Sequence, residues 1–152
     1  MGTYSVPMPL DDDGFLRRQC PHCLRQFKWH NGPTAEKPEG IVDPPVYHCP
    51  RCGAPAGHDE WWTEEQIGFA EQLLSGHAFR EVTDILEDKF RGVKGITYKP
   101  SYEDEPVTPA PLHESNDMII VAPPCHPWEP VKVPEGATAR IFCLICGEAF
   151  TA

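Results

Sequence analysis

The chain has 152 residues, a formal net charge of −10, 18 prolines and 12 glycines. So many prolines and glycines outside its middle argue against one large core, and no apolar run approaches the roughly 20 residues of a membrane span, so membrane insertion is excluded. A surface this acidic also repels bulk nucleic acid.

Modules below roughly 40 to 50 residues bury too little apolar surface to fold unaided, and need a metal, disulfides or a partner. Seven cysteines meet that need, six of them in C-x-x-C pairs: Cys20/Cys23, Cys49/Cys52 and Cys143/Cys146, with Cys125 alone. An odd count fits a disulfide framework poorly, and residues 1–10 lack the basic start and apolar run of a secretory signal. A cytoplasmic location with reduced thiols is therefore expected.

In chain order, residues 1–14, with Asp11-Asp12-Asp13, read as a flexible tail. Residues 15–58 form the first cysteine-bearing module. They carry six Lys/Arg against three Asp/Glu, whereas residues 59–91 carry three against nine. The helical segment, 59–92, opens on the capping-box pattern Thr63-Glu64-Glu65-Gln66, with Trp62 and Ile67 at the staple positions. Apolar residues at Ile67, Ala70, Leu74, Ala78, Val82, Ile85 and Leu86 predict a stripe that packs on a ribbon, with a kink at Ser75-Gly76 and a cap at Gly92. Residues 93–112 are proline-rich and acidic and read as an extended linker. Residues 113–152 form the second module, with strands expected at Met118–Ala122 and Ala139–Phe142.

Cys20-Pro21-His22-Cys23 and Cys49-Pro50-Arg51-Cys52-Gly53 form two tight turns whose four sulfurs complete a tetrahedron for zinc. Proline fixes each turn, and Gly53 supplies a positive φ that points amides at the thiolates. These paired C-P-x-C knuckles resemble the zinc-ribbon superfamily, with its rubredoxin-like knuckles. The resemblance implies a short antiparallel sheet and a structural metal. Two rivals share the pattern. A thiol-disulfide oxidoreductase leaves the second pair unexplained, and a rubredoxin-like iron carrier departs at Leu24, where a glycine usually follows the knuckle.

Cys143-Leu144-Ile145-Cys146-Gly147 is a further knuckle. Its other half falls at Pro123-Pro124-Cys125-His126-Pro127-Trp128, where Trp128 stands in the place of the second cysteine. Cys125 and His126 are the candidate ligands there. Adjacent strand residues point to opposite faces, so both ligate only if the prolines bend the backbone. His113 is the next candidate, ahead of water or a partner chain. The block from Cys125 to Gly136, with its closing knuckle, looks like that of uncharacterised bacterial double zinc-ribbon proteins.

The expected fold is thus a small, metal-stabilised α+β protein: two zinc-ribbon modules with short antiparallel strands, joined by a helical segment, with two zinc ions per chain. His22 and His48 read as neighbours that orient the ligands, and His30, His58 and His77 as exposed. An open fourth position at the second site would allow a zinc-bound nucleophile, with Glu129, Glu135, Glu148 or His113 as base, but no H-x-E or H-E-x-x-H pattern is present. The expected function is non-enzymatic, a zinc-binding adaptor or regulatory protein acting through protein–protein contacts. The alternative is nucleic-acid binding through Arg17, Arg18, Arg25, Lys28 and Arg51 with Phe27 and Trp29, unless these residues face acidic groups.

Overall fold

The computed structural model describes residues 6–91, 95 and 108–152. Gly92 and most of the 93–112 linker fall outside them. The described residues form a small α+β protein with one helix and short antiparallel strands. It divides into two compact units, Met8–Glu64 with His113–Ala152, and Met1–Pro7 with Glu65–Leu112. No helix among the described residues is long and apolar enough to cross a membrane.

The cysteine-bearing unit is built on a four-stranded antiparallel sheet. Its strands are β1 (Phe15–Gln19), β2 (Gln26–His30), β5 (Ile119–Val121) and β6 (Val131–Val133), in the order β1-β2-β6-β5. Two hairpins accompany it: β3 (Val46–His48) with β4 (Pro55–Gly57), and β7 (Ile141–Phe142) with β8 (Ala149–Phe150). Residues 15–58 and 113–152, read from sequence as separate modules, therefore share one hydrogen-bonded layer.

Alternation along the strands gives the sheet two unlike faces. One carries Phe27, Val121, Val131 and Val133, all buried, with Trp61 fully buried against Phe27 at 5.6 Å between ring centroids. Cys20, Cys49, Ile141 and Leu144 belong to the same cluster, so the core and the cysteine turns form one body. The other face carries three cations side by side. Arg17 lies opposite Lys28, and Lys28 opposite Lys132. Like charges directly opposed across strands repel, and both lysines are at most 1% exposed.

Acidic groups from the start and from the last third of the chain offset this repulsion. Asp11 Oδ2 accepts from Lys28 Nζ at 3.1 Å and Lys132 Nζ at 2.8 Å, while its Oδ1 accepts the amides of Asp13 and Phe15. Glu114 and Asp117 pair with both Arg17 and Lys28, and Asp13 with Lys132. The acidic run at 11–13, read from sequence as part of a loose tail, is thus held on the sheet by buried ammonium groups. Burial pushes the Asp11 carboxyl up, but the bonds from Lys132, the Phe15 amide and Lys28 outweigh it and hold the group well below the carboxylate range.

Helix α1 (Glu64–Phe90) starts directly after the buried Thr63, with the Gln19 side chain accepting the Glu64 amide, and runs unbroken through Ser75-Gly76. Trp61, and not the staple residue Trp62, is the buried indole; Trp62 is 40% exposed beneath the Arg18 guanidinium. Most of the predicted stripe is exposed. Ile67, Leu74, Ala78, Val82 and Ile85 are exposed, while Phe69, Ala70, Leu73 and Leu86 are half-buried. Both sides of the helix carry apolar residues, so periodicity alone does not tell which of them are covered.

Removing the charge of Asp11 leaves two buried lysines facing each other. Asp11→Asn is expected to lower unfolding stability at pH 7 by about 3–5 kcal/mol, measured by denaturant titration of the metal-loaded protein. Because the native pKa lies below the unfolded value of about 3.9, this contribution is complete above that pH and fades only as pH falls toward the native value.

Candidate metal centres

Three cysteine turns repeat one hydrogen-bond pattern. The amide four residues after the leading cysteine bonds back to that cysteine's carbonyl: Leu24 to Cys20 at 3.0 Å, Gly53 to Cys49 at 2.7 Å and Gly147 to Cys143 at 2.9 Å. The leading cysteine's own amide reaches the next carbonyl, of Arg25, Ala54 and Glu148 respectively. This closure needs a left-handed residue at the fourth position, and the φ values there are +61° at Leu24, +80° at Gly53 and +76° at Gly147. Amides then face sulfur: His22 and Cys23 donate to Cys20 Sγ, Arg51 to Cys49 Sγ and Ala54 to Cys52 Sγ.

The turns at Cys20 and Cys49 bring four sulfurs together, each within 4.8 Å of the others. Cys20 and Cys52 Sγ are 3.7 Å apart, and Cys23 and Cys49 Sγ 3.8 Å. A tetrahedral ion with metal–sulfur bonds of about 2.3 Å requires sulfurs about 3.8 Å apart. Disulfide sulfurs lie at about 2.05 Å, and all seven cysteines are free.

The second group is Cys125, His126, Cys143 and Cys146, also within 4.8 Å. Cys125 and Cys146 Sγ are 3.5 Å apart, and His126 Nδ1 is 3.4 Å from Cys143 Sγ. Tetrahedral bonds of about 2.3 Å to sulfur and about 2.05 Å to nitrogen place such a pair about 3.6 Å apart. The neighbours Cys125 and His126 converge because the chain there is a bend and turn after Pro123-Pro124, not a strand. Trp128 packs edge-on against the His126 ring at 5.5 Å. His113 is exposed and is not in the group.

Thiol chemistry fits a divalent ion at both places. Burial raises the pKa of Cys49, Cys52 and Cys143, and burial with Cys146 and Cys143 nearby pushes Cys125 up to about 12. Cys23 goes the other way, to about 7, because the Arg25 amide and the neighbouring cysteines outweigh its burial. Ionising Cys49, Cys52, Cys125 and Cys143 at neutral pH thus takes a bound cation.

The two centres also touch through their turns. His48, just before Cys49, donates its amide to Leu144 O at 2.8 Å; Phe142, just before Cys143, donates its amide to Pro50 O at 3.0 Å. The side chains follow the same exchange. A Cβ added to Gly147 would lie 2.8 Å from His48 Cδ2, and one added to Gly53 would lie 3.0 Å from Phe142 Cδ1. The Cys49 and Cys143 turns are thus docked reciprocally, each glycine roofed by the ring that precedes the other's first cysteine. His48 belongs to this packing and to neither candidate metal group, while His22 Nε2 is 3.1 Å from Pro55 O.

The basic residues of 15–58 do not form an open surface. Arg17 and Lys28 are consumed by Asp11, Glu114 and Asp117. Arg18 is 2% exposed between Trp29 and Trp62, its pKa lowered by burial to about 10. Arg51 donates to Gln26 O, leaving Arg25 exposed. No sequence signal singled out Asp11 or Lys132 as partners of this set. In comparison with known proteins, no family model matches the chain, and no solved structure matches it.

Leu24 occupies a position that favours glycine and is itself 63% exposed. Leu24→Gly is expected to raise stability by about 0.5–1 kcal/mol, the left-handed penalty relieved less the entropy of the added glycine. Thermal unfolding of the metal-loaded variant against the parent checks the sign.

Proposed function

We propose that this chain is a non-enzymatic zinc-binding adaptor or regulatory protein that acts through protein–protein contacts, with two structural zinc ions. One is held by Cys20, Cys23, Cys49 and Cys52, the other by Cys125, His126, Cys143 and Cys146, in a pair of zinc-ribbon-like modules. The observation that carries the reading is that each group supplies four donors at tetrahedral spacing, leaving no position for a substrate or an activated water. Of the carboxylates that could assist such a water, Glu129 lies 3.5 Å from Lys37. Free thiols in both groups suit a reducing compartment, consistent with a cytoplasmic location. The nucleic-acid alternative is less well supported, because most of the basic set is buried in ion pairs or between indoles.

Affinity purification of the full chain, followed by nuclease treatment, tests this reading. It predicts metal analysis giving two zincs per chain and a protein partner retained after nuclease. Cobalt substitution should give tetrahedral spectra that added azide leaves unchanged. Iron in the first centre, loss of all bound material on nuclease treatment, or a spectrum that shifts with azide would contradict it.

A further inference from the structure

Helix α1 carries a line of exposed apolar side chains: Ile67 at 46% exposed, Leu74 at 40%, Ile85 at 63% and the exposed Ala78 between them. Ile67 and Ala78 are eleven residues apart, as are Leu74 and Ile85. Eleven residues make just over three whole turns, so the line runs nearly parallel to the helix axis with little drift around it. It extends over about 27 Å at about 1.5 Å per residue.

The spacing along this line reads the same in both directions. From Ile67 the steps are seven, four and seven residues, to Leu74, Ala78 and Ile85. A two-fold interface requires each residue i to meet a residue j while j meets i. Laid antiparallel on itself, the line meets that condition: Ile67 falls against Ile85 of the second copy, and Leu74 against Ala78, a large side chain over a small one.

Charge agrees with this arrangement. The antiparallel pair brings Lys89 of each helix to Glu64 of the other, because both lie on the same flank at opposite ends of the line. Two interhelical ion pairs close the ends.

We propose that this face of α1 docks antiparallel onto the same face of a second copy of the chain, making a two-fold dimer in register Ile67–Ile85 and Leu74–Ala78. The inference is independent of the adaptor reading, since either can hold without the other.

Sedimentation equilibrium of the full, metal-loaded chain tests it. The parent should be a dimer, and Leu74→Asp a monomer of unchanged helical content. Lys89→Glu should weaken the dimer by about 2- to 30-fold, from two exposed ion pairs of about 0.2–1 kcal/mol each. Adding Glu64→Lys should restore it, whereas adding Glu65→Lys, which gives the same net charge off the seam, should not. A parent that stays monomeric, a Leu74→Asp variant that stays dimeric, or equal rescue by the Glu64 and Glu65 changes would overturn the proposal. Association found only with a cationic peptide, and not with a second copy, would overturn it equally.

Discussion

The structure depends on the reciprocal docking of the Cys49 and Cys143 turns. Each turn lends a ring to cover the other's glycine and a carbonyl to accept the other's amide. Both contacts are close, since an added methyl would fall 2.8 to 3.0 Å from a ring atom. A metal that fixes one turn therefore fixes the surface on which the other must close. In a chain whose core is a few aromatic and branched residues, this coupling supplies order that a larger apolar interior would otherwise provide.

The ionic side of the sheet does comparable work by different means. Buried ion pairs are a weak source of net stability, because desolvation consumes much of the attraction, but they are costly to disrupt. Here they specify connection. Asp11 and Asp13 from the start of the chain, and Glu114 and Asp117 from its last third, converge on a row of cations contributed by β1, β2 and β6. Segments about a hundred residues apart are thereby pinned on one face, while Phe27, Trp61 and the valines fill the other and lead into the cysteine turns.

Much of the metal chemistry was legible in the residues. A C-x-x-C pair is a local device whose geometry depends on a few neighbouring atoms, so Cys20/Cys23, Cys49/Cys52 and Cys143/Cys146 could be read as turns, and Gly53 as a left-handed residue, without knowing the fold. What stayed hidden was long-range. Lys28 alternates with Phe27 and Trp29 as a solvent-facing residue would, and nothing local reveals that Asp11 and Lys132 seal it from water. In the helix, apolar residues on both sides give a periodic signal that does not say which of them are covered, and Ile67, Leu74, Val82 and Ile85 are exposed. His48 and Phe142 did leave a faint trace, a ring before the first cysteine and a glycine four residues after it, shared by the two turns that dock.

If the docked turns couple the two centres, metal must enter them together. Stoichiometric zinc titration into the reduced, metal-free chain, followed by native mass spectrometry, measures this directly. At one equivalent the account predicts mainly metal-free and two-zinc chains, with the one-zinc form a minor species. Independent sites would instead put about half of the chains, or more, in the one-zinc form, and that distribution would contradict it.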